Sequence, residues 1–297
     1  MNYHYFKAKK GNFGDDLNPW IWSRLFHGNS DEDTLLLGIG SILHDRNHEL
    51  TELSNKKKIV FGTGVRPSAS YNNLIIDNSW DIRFLRGPLS SFTFDNEYKY
   101  ISDAAYAIRH VKDFSKFRNL EKKHKISVMP YFHSVDFFDW EKLCLELGFN
   151  YISPLSENGV EYTLKEISQS EFLITEAMHG AILADALRTP WHRFVLTTPF
   201  TEGERVSDFK WNDWLQSINL NVKFNTFIPL YKKTSLYYRI KKISSNALNV
   251  QMFHKNKTED DILNKLSKIQ EYYLSEDNAI NVIDSKINEE ILKVNKS

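Results

Sequence analysis

The residues best placed to do chemistry lie where an apolar run gives way to a stretch of small residues. In Thr175-Glu176-Ala177-Met178-His179-Gly180, the run ending at Thr175 reads as a strand, and Met178 to Leu187 (MHGAILADAL) reads as a helix. His179 then falls at a helix N-terminus, where unpaired backbone N–H groups attract phosphate or carboxylate. An imidazole there binds an anionic oxygen or donates a proton. Glu176, three residues earlier, is placed to orient that imidazole or to act as acid or base itself. Residue types alone leave a second reading open, a structural histidine capped by Glu176. Arg86 precedes Gly87-Pro88-Leu89-Ser90 at another strand end. Gly87 permits a turn and Pro88 suits a helix start. Arg86 would point into a cleft as a bidentate partner for carboxylate or phosphate, or else pair with a nearby acid.

Glycine-rich loops supply further anchor points. Gly11-Asn12-Phe13-Gly14-Asp15-Asp16 precedes a helical pattern, exposes backbone donors, and offers Asp15 or Asp16 as a cap. Gly38-Ile39-Gly40-Ser41 and Gly62-Thr63-Gly64 mark close approaches of backbone to a ligand or a helix, and both lack the third glycine of a dinucleotide fingerprint. His133 and Ser134 follow the strand ending at Met129-Pro130 and would face the same cleft, or solvent. Asn12, Gly14, Asp15, Gly40, Arg66 and Asp103 are the loop residues expected in that cleft. No metal is expected: there is no HExxH and no cysteine pair, and Asp31-Glu32-Asp33 reads as an acidic loop.

The elements that must position these residues alternate. Strands are expected in the runs Thr34–Ser41 and Lys58–Gly64, both ending in glycines, and at Asp81–Pro88, Tyr100–Ser102, Lys125–Pro130, Asn150–Ser153, Phe172–Thr175 and Trp191–Leu196. Helical stretches fall between them: Leu17–Phe26, with Pro19 in its first turn, then Val135–Leu147, Gly159–Ser168 and Met178–Leu187. Such alternation predicts parallel sheets covered on both faces, with ligands outside the strands' carboxyl ends. Two Rossmann-like domains facing across a cleft are expected, at residues 1–115 and 116–224, with the charged stretch Lys112–Lys125 as the link. A helical extension, 225–297, carries the basic and aromatic segment Tyr231–Ile243 and helices at Asp260–Leu274 and Asn281–Val294.

The bulk numbers agree with a globular α/β chain. It has 297 residues, 41% of them hydrophobic, and 38 Lys plus Arg against 38 Asp plus Glu. A net charge of zero argues against nucleic-acid binding by bulk charge, so any anion site must be local. The single cysteine, Cys144, sits on an apolar helix pattern, reads as core, and excludes an internal disulfide. No run is long and apolar enough for a transmembrane helix, and the N-terminus does not read as a signal peptide. A cytoplasmic protein is expected, with Tyr231–Ile243 either docking on the anionic inner face of a membrane or packing on the domains.

Taken in order, these motifs resemble the polysaccharide pyruvyl transferases, in the branch of the succinoglycan pyruvyl transferase. The resemblance rests on Asn12-Phe13-Gly14-Asp15-Asp16-Leu17-Asn18-Pro19-Trp20, Gly38-Ile39-Gly40, Arg86-Gly87-Pro88-Leu89-Ser90, Ser102-Asp103-Ala104-Ala105, Met129-Pro130, Glu176-Ala177-Met178-His179-Gly180-Ala181 and Lys210-Trp211-Asn212-Asp213-Trp214. It implies a GT-B-like fold with residues 1–115 on the acceptor side and 116–224 on the donor side, no cofactor, phosphoenolpyruvate as donor and a sugar hydroxyl pair, often on a lipid carrier, as acceptor. The product would be a cyclic pyruvate ketal of a capsule or exopolysaccharide precursor. Many members carry Arg-Leu-His where this chain has Ala177-Met178-His179, so the implied anion-binding arginine falls to Arg86 or Arg205. On this reading His179 is the leading acid or phosphate partner and Glu176 its orienting group or the base. Two other readings stay open: a sugar-nucleotide glycosyltransferase, and a non-catalytic carbohydrate-binding or assembly protein of the same fold.

Overall fold

The structure is a computed structural model that describes residues 1–26, 33–44, 50, 56–67, 76–231 and 254–296. Its strands form two parallel sheets. The first, of 4 strands, runs in the order β1 (Asn2–Tyr3), β2 (Thr34–Leu37), β3 (Lys57–Phe61), β4 (Trp80–Phe84). The second, of 5 strands, runs β6 (Asn150–Tyr151), β5 (His124–Met129), β7 (Ser170–Thr175), β8 (Trp191–Val195), β9 (Thr226–Phe227). In it the chain leaves β5 toward β6 and returns across to β7. The carboxyl ends of β5 and β7 therefore flank the switch point where open parallel sheets hold ligands.

Helix α1 (Phe13–Leu25) starts earlier than the pattern suggested. Asn12 is its N-cap, which puts Pro19 inside the helix. Proline cannot donate to the carbonyl one turn back, that of Asp15. Asn18 supplies the missing bond: its Nδ2 donates to Asp15 O at 3.0 Å and to Ile39 O at 3.0 Å. Its Oδ1 accepts from Ile39 N at 2.9 Å and from Trp22 Nε1 at 2.8 Å. This buried amide thus satisfies its full hydrogen-bonding capacity while repairing the helix and clamping it to the 38–40 loop.

Other elements follow: α2 (Pro88–Phe92), α3 (Trp140–Leu147), α4 (Val160–Ser168), α5 (Met178–Leu187), α6 (Glu204–Ser217), α7 (Lys255–Leu266) and α8 (Asp277–Val294). Helix α5 is buried along its whole length except at His179. An all-round apolar helix belongs inside the molecule, and α5 packs on α1, α4 and the 3-10 helix Ala104–His110. One core joins Phe13, Leu17 and Trp22 to Leu183, Leu187 and Trp214, and includes Ile280, Ile283, Ile287 and Ile291 of α8. Arg109 fixes α8 through Nε bonds of 2.9 and 2.8 Å to the Asp284 carboxylate.

Several expectations change. Tyr100–Ser102 makes one bridge, Leu85 with Tyr100, and then turns into the 3-10 helix, because Asp103 caps it by accepting from Ala105 N at 2.9 Å. The Val135–Leu147 stretch divides into a 3-10 turn, Phe132–Asp136, and α3, whose N-cap Asp139 accepts from Lys142 N. The tail helices start before the expected positions, at Lys255 and Asp277, and α6 and β1 were not anticipated. Residues 232–243 of the basic, aromatic segment lie outside the described residues.

Candidate active site

A cavity of about 830 Å³ opens at the strand ends of both sheets. The second sheet supplies the start of α5. Thr175 Oγ1 donates to Met129 O and accepts from Ala177 N, which fixes the turn out of β7. A Cβ on Gly180 would stand 2.7 Å from Thr175 Oγ1 and 2.8 Å from Met129 Sδ, so only glycine allows α5 this close to β5 and β7. The following geometry presents His179 to the cavity.

The first half supplies what surrounds His179. Gly14 lies against the ring: a Cβ there would stand 2.1 Å from His179 Nδ1. Asp103 Oδ1 lies 3.8 Å from His179 Nε2, and among the described residues neither Nε2 nor Asp103 Oδ2 has a hydrogen-bond partner although both are buried. Burial, reinforced by the Lys210 and Arg86 cations, pushes His179 down to about 3. The imidazole is therefore neutral near pH 7, a hydrogen-bonding group and not a stored proton. Burial pushes the Asp103 carboxyl up to about 6 against the opposing pull of Arg86.

Arg86 is fully buried and lines the cavity. Its Nε donates to Asp213 Oδ2 at 3.0 Å and its Nη1 to Ser41 Oγ at 2.6 Å, while Nη2 has no partner among the described residues. A Cβ on Gly64 would stand 2.2 Å from Arg86 Cζ, so the Gly62-Thr63-Gly64 loop is a bed for the guanidinium. Asp213 of α6 also accepts from Ser90 N at 3.0 Å and Ser90 Oγ at 2.6 Å, which caps α2 and locks the arginine to it. From the same helix, Lys210 reaches the cavity and pairs with Glu202 at 2.5 Å. An unpartnered guanidinium N–H, a lysine and a helix N-terminus thus surround a space suited to a small, multiply charged anion.

Asn12, Gly14, Asp15, Gly40, Arg66 and His133 also line the cavity. Asn12 Nδ2 donates to Asp15 Oδ2 at 2.5 Å. The cap is Asn12, whose Oδ1 accepts from Gly14 N at 3.3 Å, and not Asp15 or Asp16 as the sequence suggested; Asp16 accepts from Asn12 N at 3.2 Å, and Asp15 faces the cavity. Burial pushes Asp15 up to about 7, with Lys210 and Asn12 opposing. Gly40 adopts φ of 133°, a conformation that favours glycine. His133 stacks on Phe132 with ring centroids 3.9 Å apart.

Three sequence expectations are corrected. Glu176 does not orient His179. Its buried carboxylate accepts from the backbone N–H groups of Leu196, Thr197 and Thr198 and from the Thr197 hydroxyl, and so ties β7 to the end of β8. The carboxylate facing His179 is that of Asp103. Ser134 is buried off the cavity wall and accepts from Trp140 Nε1 at 3.0 Å. Arg205 is an exposed residue in the first turn of α6 and does not line the cavity, whereas Lys210, about one and a half turns on, does. Lys210 and Asp213 both stand in the Lys210–Trp214 motif. Their charge beside Trp211 and Trp214 was the available signal.

Residues 2–195 match the family described as Polysaccharide pyruvyl transferase. The succinoglycan biosynthesis protein ExoV of Rhizobium meliloti (strain 1021) is 35% identical over 230 residues, which cover 75% of this chain and 66% of that protein. The chain thus spans just under two thirds of its curated relative. Two solved structures are similar at low TM-score. A functionally uncharacterized protein of Klebsiella pneumoniae subsp. pneumoniae NTUH-K2044 gives 0.41, with 16% identity over 77% of this chain and 93% of that one. The wall teichoic acid polymerase TagF gives 0.35, with 13% identity over 88% and 73%. The family match covers both sheets through β8 and includes Asp15, Arg86, Asp103 and His179. The chain belongs to the polysaccharide pyruvyl transferase family.

Proposed function

We propose that this chain moves a pyruvyl unit from phosphoenolpyruvate onto a pair of sugar hydroxyls, forming a cyclic ketal and releasing phosphate. The observation that carries the reading is the buried Arg86 guanidinium with an unpartnered Nη2 on a cavity wall shared with Lys210 and His179. Phosphoenolpyruvate carries a carboxylate and a phosphate a few bonds apart, and fixed cations of this kind hold both and stabilise the departing phosphate. Asp103 Oδ1 stands 3.8 Å from His179 Nε2, the carboxylate oxygen facing that ring. No described residues form a cluster able to hold a metal, and the chemistry proposed calls on none.

In this reading the two sheets are the cores of two Rossmann-like domains, 1–115 and 116–224, in a GT-B-like arrangement with the cavity between them. The acceptor is an exopolysaccharide precursor, in keeping with the succinoglycan role in the relative's name. A lipid-linked acceptor would bring the protein to the inner face of the plasma membrane, with residues 231–243 as the contact. Flotation that is equal with anionic and neutral liposomes would remove that contact. Mass spectrometry of the host glycan with and without the gene tests the function. Loss of a pyruvate ketal is expected, and an unchanged glycan contradicts the reading.

A further inference from the structure

Ketal formation from an enol ether needs a proton delivered to carbon, and the residues already described do not store one. His179 is neutral, held low by burial among cations. Asp103 does not line the cavity. Glu202, on the wall, is committed to Lys210 at 2.5 Å. We propose that Asp15 is the general acid of this site, delivering its carboxyl proton to the methylene carbon of the enol donor. The inference rests on the function proposed above and adds the proton source to it.

The geometry supports the role. Asp15 is 8% exposed yet lines the cavity, one residue from the Gly14 that touches His179. Asn12 Nδ2 holds Oδ2 at 2.5 Å. On the other side, a Cβ at Gly40 would come within 3.9 Å of Oδ1, so the absent side chain leaves an opening beside that oxygen. The charged and titratable groups around it come from every neighbouring element: Asp16 on its own helix, Lys210 on α6, Glu202 before it, and the Tyr5 and Tyr131 hydroxyls. Burial outweighs the lysine, and the acid is held up to about 7, half protonated near neutral pH.

The step balances. The C2=C3 electron pair takes the Asp15 proton and C3 becomes methyl. A sugar hydroxyl oxygen bonds to the electron-poor C2, and its proton returns to the Asp15 carboxylate. The C2–O bond to phosphate then breaks, the second hydroxyl closes the ring, and its proton leaves with the phosphate.

The test uses the full chain, phosphoenolpyruvate, and a lipid extract of a gene-deletion strain as acceptor source, with phosphate release followed from pH 5.5 to 8.5. Wild-type turnover is expected to fall about tenfold per unit above pH ~7. Asp15→Asn is expected to lower turnover at least ~100-fold, to lose that alkaline limb, and to keep the melting shift given by phosphoenolpyruvate. Asp15→Glu, which keeps a carboxyl, should recover part of the rate. Asp15→Asn turnover within threefold of wild type, or a retained limb, overturns the proposal. So does loss of the melting shift with the rate, which would make Asp15 a binding group. A wild-type chain that neither binds phosphoenolpyruvate nor releases phosphate removes the parent function and this step with it.

Discussion

A single methyl group added at Gly14 is expected to disable His179 without unfolding the protein. In Gly14→Ala the new Cβ would stand 2.1 Å from His179 Nδ1 and 2.8 Å from Cγ, whereas ordinary contact begins at 3.4 Å. The imidazole must therefore shift by roughly 1 Å or more, a displacement that costs a positioned catalytic group about 100-fold. The helix itself gains from the change, since alanine is favoured over glycine in a helix by about 0.5–1 kcal/mol, which offsets part of an overpacking cost of about 1–3 kcal/mol. Turnover is read as phosphate release from phosphoenolpyruvate with the deletion-strain extract, and folding by thermal melting. The double variant Gly14→Ala/His179→Ala is the control. If the glycine matters only through the ring, the double variant is no slower than His179→Ala, itself expected to lose at least ~100-fold. Near-normal turnover in Gly14→Ala, or losses in the double variant that multiply, would refute the reasoning.

Three further outcomes follow from the same geometry. Glu176→Gln puts an amide donor opposite the backbone N–H groups of 196–198 and should cost about 1–3 kcal/mol in chemical unfolding, with turnover per folded molecule unchanged. Asp213→Ala strands the fully buried Arg86 cation and should cost about 3–5 kcal/mol by the same measurement. Asp15, held at about 7 against 3.8 in ordinary surroundings, binds more protons folded than unfolded between those values, so its burial erodes stability as pH rises through that window. Asp15→Asn should therefore be more stable than wild type by about 2–4 kcal/mol at pH 8 and nearly equal to it near pH 4.

The parallel strands and the α5 entry were legible because their signals are local: short apolar runs ending at glycine, and small residues at helical spacing. What failed depended on contacts made far along the chain. Pro19 looked like a helix start because nothing nearby shows that the Asn18 amide would replace the bond proline removes. Glu176 looked like the partner of His179 at a spacing of three, yet the 196–198 loop captures its carboxylate. Asp103, 76 positions before the histidine, is brought to 3.8 Å from the ring by the packing of the Ala104–His110 turn on α5. Arg86 lines the cavity and also pairs with an acid, the two readings its position left open, but that acid, Asp213, is 127 residues away, and no periodicity encodes the pairing. Lys210 was hidden for the same reason: sequence shows a lysine beside two tryptophans, and only the fold turns it toward the cavity.

The central claim is that the Arg86, Lys210 and His179 wall receives a small phosphorylated carboxylate and not a nucleotide. Thermal melting with phosphoenolpyruvate, UDP-sugars and GDP-sugars in parallel measures it most directly, since a ligand stabilises the state it binds. A rise in melting temperature with phosphoenolpyruvate alone is predicted. No response to phosphoenolpyruvate, or a rise with a sugar nucleotide in its place, would contradict the account.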